Sequence, residues 1–327
     1  MKPLMLILVP LIVVLCLSSL VIGPAGVGPV ESLRALVAGD EGPLTLVMRE
    51  IRLPRMILAV AIGASLGLAG AAMQGYLRNP LAEPGLIGVS GSAALGAVLS
   101  IQTGLSAAFA LALPFSALAG AVIAVLLLLA LAGPRGGSLT LILAGIAISA
   151  MAGALTSLVL NLSPNPFAAN EIVFWMMGSL TDRSMLHVWL ALPIMVVGWA
   201  LHLPLARPLE ALTLGEDAAA SMGINLVRLR WQVVLGTACV VGAGTAVAGA
   251  IGFIGLIVPH VLRPLVGARP GPLLITSALG GAAMLLAADI AVRVVLPGRD
   301  LKLGVLTALV GAPFFLHLVW RTGRTPV

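Results

Sequence analysis

The side chains that could do chemistry in this sequence are few and widely spaced. Its four histidines, at positions 187, 202, 260 and 317, form no H-E-x-x-H motif and no cluster with cysteine, so no metal site is predicted. Asp289 is the one acidic residue deep in an apolar stretch, and such a carboxylate is usually functional or paired. One carboxylate is not a catalytic acid pair, and Ser90, within Gly-Val-Ser-Gly, lacks the strand–turn–helix context of a nucleophile elbow. We therefore predict no catalytic residues.

Nucleotide hydrolysis is also excluded for this chain. A P-loop needs G-x4-G-K-[ST], whose lysine reaches the terminal phosphates, and Lys2 and Lys302, the two lysines present, lie outside any such motif. If ATP drives a process here, a separate subunit must hydrolyse it and bind a cytoplasmic surface of this chain. An ion-coupled secondary transporter is a more distant alternative, because the apolar stretches are almost bare of ionisable groups.

These residues are carried by a strongly apolar chain. Of its 327 residues 60% are hydrophobic and 9% are charged, and the mean hydropathy is +1.14. Its 18 basic and 12 acidic residues cannot cover a 33.2 kDa globule, so most of the surface must face something other than water. No basic cluster is interleaved with aromatic residues, so no nucleic-acid partner is expected. The composition predicts an all-α polytopic membrane protein.

Charge-free blocks indicate the membrane spans, since a helix needs about 20 apolar residues to cross the hydrocarbon core. The block 84–134 is long enough to cross twice. The block 231–262 could break at Pro259 and its glycines into a full helix and a short one. We expect one transmembrane domain over residues 1–327 with nine or ten spans, the first of them uncleaved, from the blocks 3–30, 56–77, 84–134, 136–170, 184–206, 231–262, 270–288 and 303–320.

The basic residues orient these spans. With a cytoplasmic N-terminus and ten spans, the C-terminus is also cytoplasmic and ten of the 18 basic residues lie inside. Several arginines nevertheless fall outside, which is against the usual rule and calls for a cause. The external residues are Arg34, Arg49, Arg52, Arg55, Arg183, Arg299 and Lys302, with Arg293 close to that end of its helix.

The longest internal stretch, 207–230, is the best candidate for the surface that binds a separate ATPase. Glu216 to Gly223 reads as a short helix with acidic residues in its first turn and Gly223 as its C-cap. Its acid-Ala-Ala-x-x-x-Gly pattern resembles the coupling element of ABC-importer permeases. The residues assigned to coupling are Leu214, Gly215, Glu216, Asp217, Ala218, Ser221, Met222 and Gly223.

Segments along nearly the whole chain after residue 50 resemble the FecCD-type family, the permeases of ABC importers for iron–siderophores, haem and cobalamin. Each segment alone is modest, but their order and spacing are highly specific. They are IRLPR (51–55), QGYLRNPLAEPG (74–85), IGVS (87–90), LAG (143–145), FWMMGSL (174–180), LGE (214–216), GFIGLIVPH (252–260), ADI (288–290) and GAPFF (311–315).

The resemblance implies ten spans in the type II ABC-importer permease fold and a location in the bacterial inner membrane. It implies three kinds of partner: a second copy of the permease, two ABC ATPases that hydrolyse ATP with Mg²⁺, and a periplasmic binding protein. No cofactor is expected on this chain. The implied cargo is an iron chelate, a siderophore complex or haem, with cobalamin as the alternative.

Two groups of site residues also follow from the resemblance. Arg52, Arg55 and Arg293 match arginines that receive carboxylates of the binding protein, and arginine suits such bidentate pairs. The cytoplasmic gate is predicted at two inner helix ends, by Asn79 with Leu81 and by Ser138 with Leu139.

One stretch departs from the family. Where members usually have Glu-Leu-Pro-Val-Gly before the last helix, this chain has Asp300-Leu301-Lys302-Leu303-Gly304. The acid is shortened and the proline is replaced, which leaves the geometry of this external loop open.

Overall fold

The computed structural model describes residues 2–23, 28–37, 42–109, 111–133, 137–295 and 301–322, and their regular structure is entirely helical. The α-helices are α1 Lys2–Val21, α2 Pro29–Val37, α3 Pro43–Leu46, α4 Leu53–Tyr76, α5 Val89–Gln102, α6 Leu105–Ala108, α7 Ala112–Ala132, α8 Ser138–Asn161, α9 Pro166–Met176, α10 Met185–His202, α11 Ala206–Leu212, α12 Glu216–Ser221, α13 Leu226–Ala248, α14 Ile254–Leu262, α15 Pro270–Val295 and α16 Leu303–Thr322.

In the described part of the chain, four short helical segments of other types join them. A π-helix, Val47–Arg52, links α3 to α4 without a break, so that the run Pro43–Tyr76 is continuous. Three 3-10 helices, Pro84–Ile87, Leu203–Leu205 and Pro264–Val266, lie in the links before α5, α11 and α15. Short π-helical turns inside α-helices occur frequently at functional sites.

Within the described ranges, seven helical runs are long and apolar enough to cross a membrane. They contain α1, α4, α7, α8, α10, α13 and α15. Helices α5 and α16 are shorter apolar helices, and α14 is shorter still with nine residues. Counted together, these ten described helices match in number the ten spans that the resemblance implies, with α14 in the place of the short eighth one. We call the side where α1 ends and α4 begins the outer end, and the opposite side the inner end.

The predicted division of the block 231–262 into a full helix and a short one is confirmed, and the break lies at the glycines rather than at Pro259. Helix α13 ends at Ala248, Gly249 has a positive φ of 72°, and the chain stays non-helical until α14 begins at Ile254. Pro259 does not cause the break, because it lies inside α14. Glycine at 249 allows the left-handed backbone that stops α13.

Helix α4 is the centre of the bundle, and it packs against α10, α13, α14 and α15. Its contact with α15 is made by small residues: a Cβ added at Gly63 or Gly67 would overlap the backbone at Gly281 or Ser277. Glycine at these positions lets the two backbones approach, which is how membrane helices gain packing energy without a hydrophobic driving force. By contrast, α1, α8 and α16 leave much of their apolar surface uncovered.

Candidate functional site

The three arginines predicted to dock the binding protein lie together at the outer end. Arg52 closes the π-helix, Arg55 lies in the first turn of α4, and Arg293 lies in the last turn of α15. Arg52 and Arg55 lie at least 238 positions from Arg293 in the chain. The fold brings the three together because α4 and α15 pack side by side.

Asp289 is the acid that joins two of these arginines. Arg55 Nε donates to both its carboxylate oxygens, at 2.9 and 3.1 Å, and Arg55 Nη2 is 2.9 Å from Oδ1. Arg293, one turn further along α15, places Nη2 2.9 Å from Oδ2. The aspartate is fully buried, while the side chains of Arg55 and Arg293 are 14% and 11% exposed. A buried carboxylate is thus held by two guanidinium groups.

Arg52 and Arg293 also bind the end of α1. Arg52 Nη1 donates to the carbonyl oxygens of Leu20 and Val21, at 2.7 and 2.9 Å. Arg293 Nη1 donates to the carbonyl oxygens of Ser19 and Ile22, each at 2.8 Å. The last carbonyls of a helix have no partner within it, and its C-terminus carries partial negative charge, so two cations there are stabilising.

This arginine cluster, Arg52, Arg55, Asp289 and Arg293, fastens the outer ends of α1, α4 and α15 to one another. The three arginines lie together at one end of the bundle, but their charged groups point into the protein, and Arg52 is only 5% exposed. Sequence reasoning did not assign Asp289 to them. The sequence did contain a signal for part of the cluster, because the four-residue spacing of Asp289 and Arg293 places both on one face of a helix.

At the inner end the stretch 207–230 folds as predicted. It contains α11, then α12 from Glu216 to Ser221, and the start of α13. Gly215 and Gly223 bound α12 with positive φ values of 107° and 84°, so Gly223 does end this helix. Ala219 is fully buried and holds α12 against its neighbours, whereas Glu216 and Asp217 are exposed.

The residues around α12 in this stretch form an exposed, partly apolar surface. Leu214 and Met222, on either side of α12, are 68% and 62% exposed although they lie outside the spans. Glu210 of α11 forms a partly exposed ion pair with Arg269 at 3.3 Å, which joins α11 to the link before α15. The arrangement is an exposed short helix flanked by two exposed apolar side chains. The remaining predicted coupling residues, Ala218 and Ser221, lie on α12 itself.

The predicted gate residues lie at inner helix ends but in separate places. Asn79 follows α4, and its side-chain oxygen accepts a hydrogen bond from the Leu81 N–H at 2.9 Å. Ser138 and Leu139 begin α8, and Leu139 is 67% exposed. The 3-10 helix after Leu81 packs on α8 at Gly145, about two turns beyond Ser138.

Sequence reasoning missed a polar site in the inner loop, residues 77–88 between α4 and α5. Glu83 Oε1 accepts a hydrogen bond from the Phe253 N–H at 2.8 Å, at the N-terminus of α14. Burial raises the pKa of the Glu83 carboxyl, and this hydrogen bond opposes the increase. A carboxylate here interacts favourably with the positive end of a helix.

The side of α14 is held by a second polar residue. Gln74 Nε2 donates to two carbonyl oxygens in the first turn of α14, at 3.3 and 3.4 Å, and its Oε1 accepts from Arg263 Nη2 at 2.7 Å. Burial lowers the pKa of Arg263. The short span is therefore held by polar groups at its start, along its side and just after its end.

The stretch that departs from the family lies partly outside the described residues, since Asp300 is not among them. Lys302 places its Nζ 5.5 Å from the centre of the Phe174 ring. Gly304 donates its N–H to the Gly178 carbonyl oxygen at 3.2 Å. The replacement of proline by lysine thus adds a contact between the start of α16 and α9.

Seven candidate spans among the described residues, three further apolar helices and the exposed inner helix suit one class of protein, an ABC transporter permease. A structure described as an inward-facing metal-chelate type ABC transporter superposes with a TM-score of 0.87 at 32% identity, covering 98% of this chain and 100% of that one. PsaBC from Streptococcus pneumoniae shares the fold at a TM-score of 0.55 and 16% identity, over 88% and 94% of the two chains.

The chain belongs to the FecCD transport family, whose model matches residues 11–321. The cobalamin import system permease protein BtuC of Halobacterium salinarum is 40% identical over 280 residues, 84% of this chain and 73% of that protein. The Fe(3+) dicitrate transport system permease protein FecD of Escherichia coli K12 is 38% identical over 275 residues, 84% and 85% of the two. The predicted family is confirmed: this is a multi-span permease of a metal-chelate type ABC importer, a transport component and not an enzyme.

Proposed function

We propose that this chain is the permease of an ATP-driven importer that moves an iron chelate, a siderophore complex or haem, from the periplasm to the cytoplasm. The family and the relation to FecD, named for Fe(3+) dicitrate, support this cargo. Cobalamin is the second candidate, because the relative named for cobalamin import is 40% identical to this chain.

The observation that carries the importer mechanism is the exposed pair Leu214 and Met222 beside α12. Apolar side chains that lie outside the membrane spans and beside an exposed helix are typical of a protein interaction site. We assign this surface to the ATPase, of which each importer has two copies. ATP and Mg²⁺ belong to those subunits, and closure of the ATPases moves α12 as a rigid body.

A second copy of the permease completes the pathway in this proposal. Helices α8 and α16 expose large apolar side chains along their length, among them Leu143, Met151, Leu309 and Leu316. Packed against a second copy, these helices would surround the path of the cargo, with Asn79, Leu81, Ser138 and Leu139 at its cytoplasmic gate. The start of α1 and the end of α16 are both cytoplasmic in this arrangement, on the same side as α12.

The periplasmic binding protein docks at the outer end over the arginine cluster. The cluster contains three arginines and one aspartate, which leaves a local net charge of +2 among these four residues. The side chains of Arg55 and Arg293 keep 14% and 11% exposure, so receptor carboxylates act on this charge from the surface. Such complementarity speeds encounter and fixes orientation more than it adds affinity.

Reconstitution tests the proposal. The permease, its ATPase and its binding protein are placed in proteoliposomes, and ATP-dependent uptake of radiolabelled ferric dicitrate, haem and cobalamin is measured. Uptake of an iron chelate in preference to cobalamin is expected. Preference for cobalamin would replace the cargo assignment, and uptake of none of the three would contradict it.

A further inference from the structure

Phe253 holds a backbone conformation that bulky side chains rarely adopt. Its φ is 68°, in the left-handed region, and it directly precedes the first residue of α14. Left-handed backbone at a non-glycine residue persists only where the surroundings hold it there, and such residues cluster at sites of conformational control. Gly249 and Gly252 lie in the same stretch, and glycine adopts a positive φ more readily than phenylalanine does. The aromatic side chain at 253 therefore requires an explanation.

The ring of Phe253 lies against α16. Gly311 faces it so closely that a Cβ built at position 311 would overlap the ring. The φ of Gly311 is not positive, so its backbone does not require glycine. The glycine is needed for the space that it leaves to the ring.

The backbone of Phe253 is bound on its other side to the inner loop. Its N–H donates to Glu83 Oε1 at 2.8 Å, and Pro84, the next residue of that loop, packs on Gly255 of α14. The inner loop also contains Asn79 and Leu81 of the predicted gate. One residue thus contacts the inner loop through its backbone and α16 through its side chain.

We infer that Phe253 is a positioning residue that transmits movement between the inner loop and α16 during transport, through its bond to Glu83 and its ring on Gly311. The inference rests on the proposed importer function. A rigid residue with a defined contact on each side moves two elements together, whereas a flexible link would let the inner loop move alone. Close packing makes such contacts switch between discrete arrangements.

The test uses the full importer in proteoliposomes and two readouts. One is cargo uptake, with ferric dicitrate and cobalamin as probes. The other is the increase in ATP turnover that the binding protein causes, which needs transmission through the spans but no cargo. Glu83→Ala removes the bond and Gly311→Ala displaces the ring. Each is expected to lower both readouts about tenfold, while ATP turnover without the binding protein stays within about twofold.

The double variant distinguishes transmission from a general structural role. If both contacts serve one connection, Glu83→Ala combined with Gly311→Ala lowers the readouts no further than either alone. Glu83→Gln, which keeps an acceptor of the same size, should restore most of the activity. Gly85→Ala is the matched control in the same loop, because an added Cβ there meets nothing within 4 Å.

Two outcomes would overturn the inference. Losses that multiply in the double variant would show independent contacts, and losses of uptake and unstimulated ATP turnover in equal proportion would show damage to the fold. Failure of the wild-type importer to take up ferric dicitrate, haem and cobalamin, the three probes of the reconstitution above, would contradict the cargo proposal alone, since stimulated ATP turnover would still report on Phe253.

Discussion

Arg55 and Asp289 form a two-pronged ion pair across the outer ends of α4 and α15, with Arg55 Nε at 2.9 and 3.1 Å from the two carboxylate oxygens. The residues are 234 positions apart in the chain. Asp289 is fully buried and also binds Arg293, so its single negative charge offsets positive charge at the outer ends of both α4 and α15. The burial of this group makes its removal costly.

We predict that Asp289→Ala destabilises the protein by about 3–5 kcal/mol, because it leaves two largely buried guanidinium groups without their acid. Thermal unfolding in detergent measures the effect. The control is Glu210→Ala, which breaks the Arg269 pair; its side chains are 68% and 34% exposed, so a loss of about 0–1 kcal/mol is expected. Equal losses in both variants would contradict the structural role of the arginine cluster.

Charge at the arginine cluster is predicted to set the rate of receptor docking. Arg55→Gln lowers the local net charge and Asp289→Asn raises it, although both break the same ion pair. Association of the binding protein should therefore slow in the first variant and accelerate in the second, with both differences shrinking as salt rises. Stopped-flow or biosensor association rates test this. A decrease in both variants would indicate damage to the fold rather than electrostatic attraction.

Local patterns in the sequence predicted much of this structure. The apolar blocks, the short helix at 216–221 and its glycine cap depend on neighbouring residues, so they can be read without knowing the fold. The number of spans needed the family resemblance, because nine-residue α14 is too short to be counted by length.

The contacts of the arginine cluster and of the inner loop could not be read in this way. Arg55 meets Asp289 only because α4 packs on α15, and Glu83 meets Phe253 across 170 positions. No sequence pattern indicated the positive φ of Phe253, since glycine would be the usual residue there. The external arginines were noticed for their position relative to the membrane, whereas their inward orientation depends on tertiary packing.

The stability contributed by Glu83 should depend on pH. Burial raises the pKa of this carboxyl above its ordinary value of 4.5. The stability that Glu83 contributes is therefore complete below pH 4.5 and is lost as the pH rises through the raised pKa of the folded protein. Relative to Glu83→Gln, wild-type protein should therefore be most stable at low pH and lose this advantage as the pH rises. Unfolding midpoints of both proteins across the acidic to neutral range measure the difference. A difference that is constant or grows with pH would contradict the assignment.

The two glycines that bound α12 are predicted to control its docking to the ATPase. Gly215 and Gly223 have φ values of 107° and 84°, and an added Cβ at either meets nothing within 4 Å. Alanine at 223 would therefore cause no clash and would act only through its backbone, at a cost of about 1–2 kcal/mol in the left-handed region. A shift of that size weakens binding of the ATPase about 5–30-fold, if the docked form requires the present helix end.

Three variants make that prediction specific. Gly223→Ala should reduce ATPase binding and ATP-driven transport while membrane insertion stays normal. Gly223→Asn should lose less, because asparagine tolerates the left-handed backbone better than alanine does. Gly153→Ala, within α8, is the matched control for ATPase binding, because an added Cβ there also meets nothing within 4 Å in this chain and no positive φ is involved. Co-purification with the ATPase and its titration by fluorescence measure the series. If Gly223→Ala binds as wild-type protein does, the end of α12 is not what the ATPase recognises, and the exposed Leu214 and Met222 become the residues to substitute next.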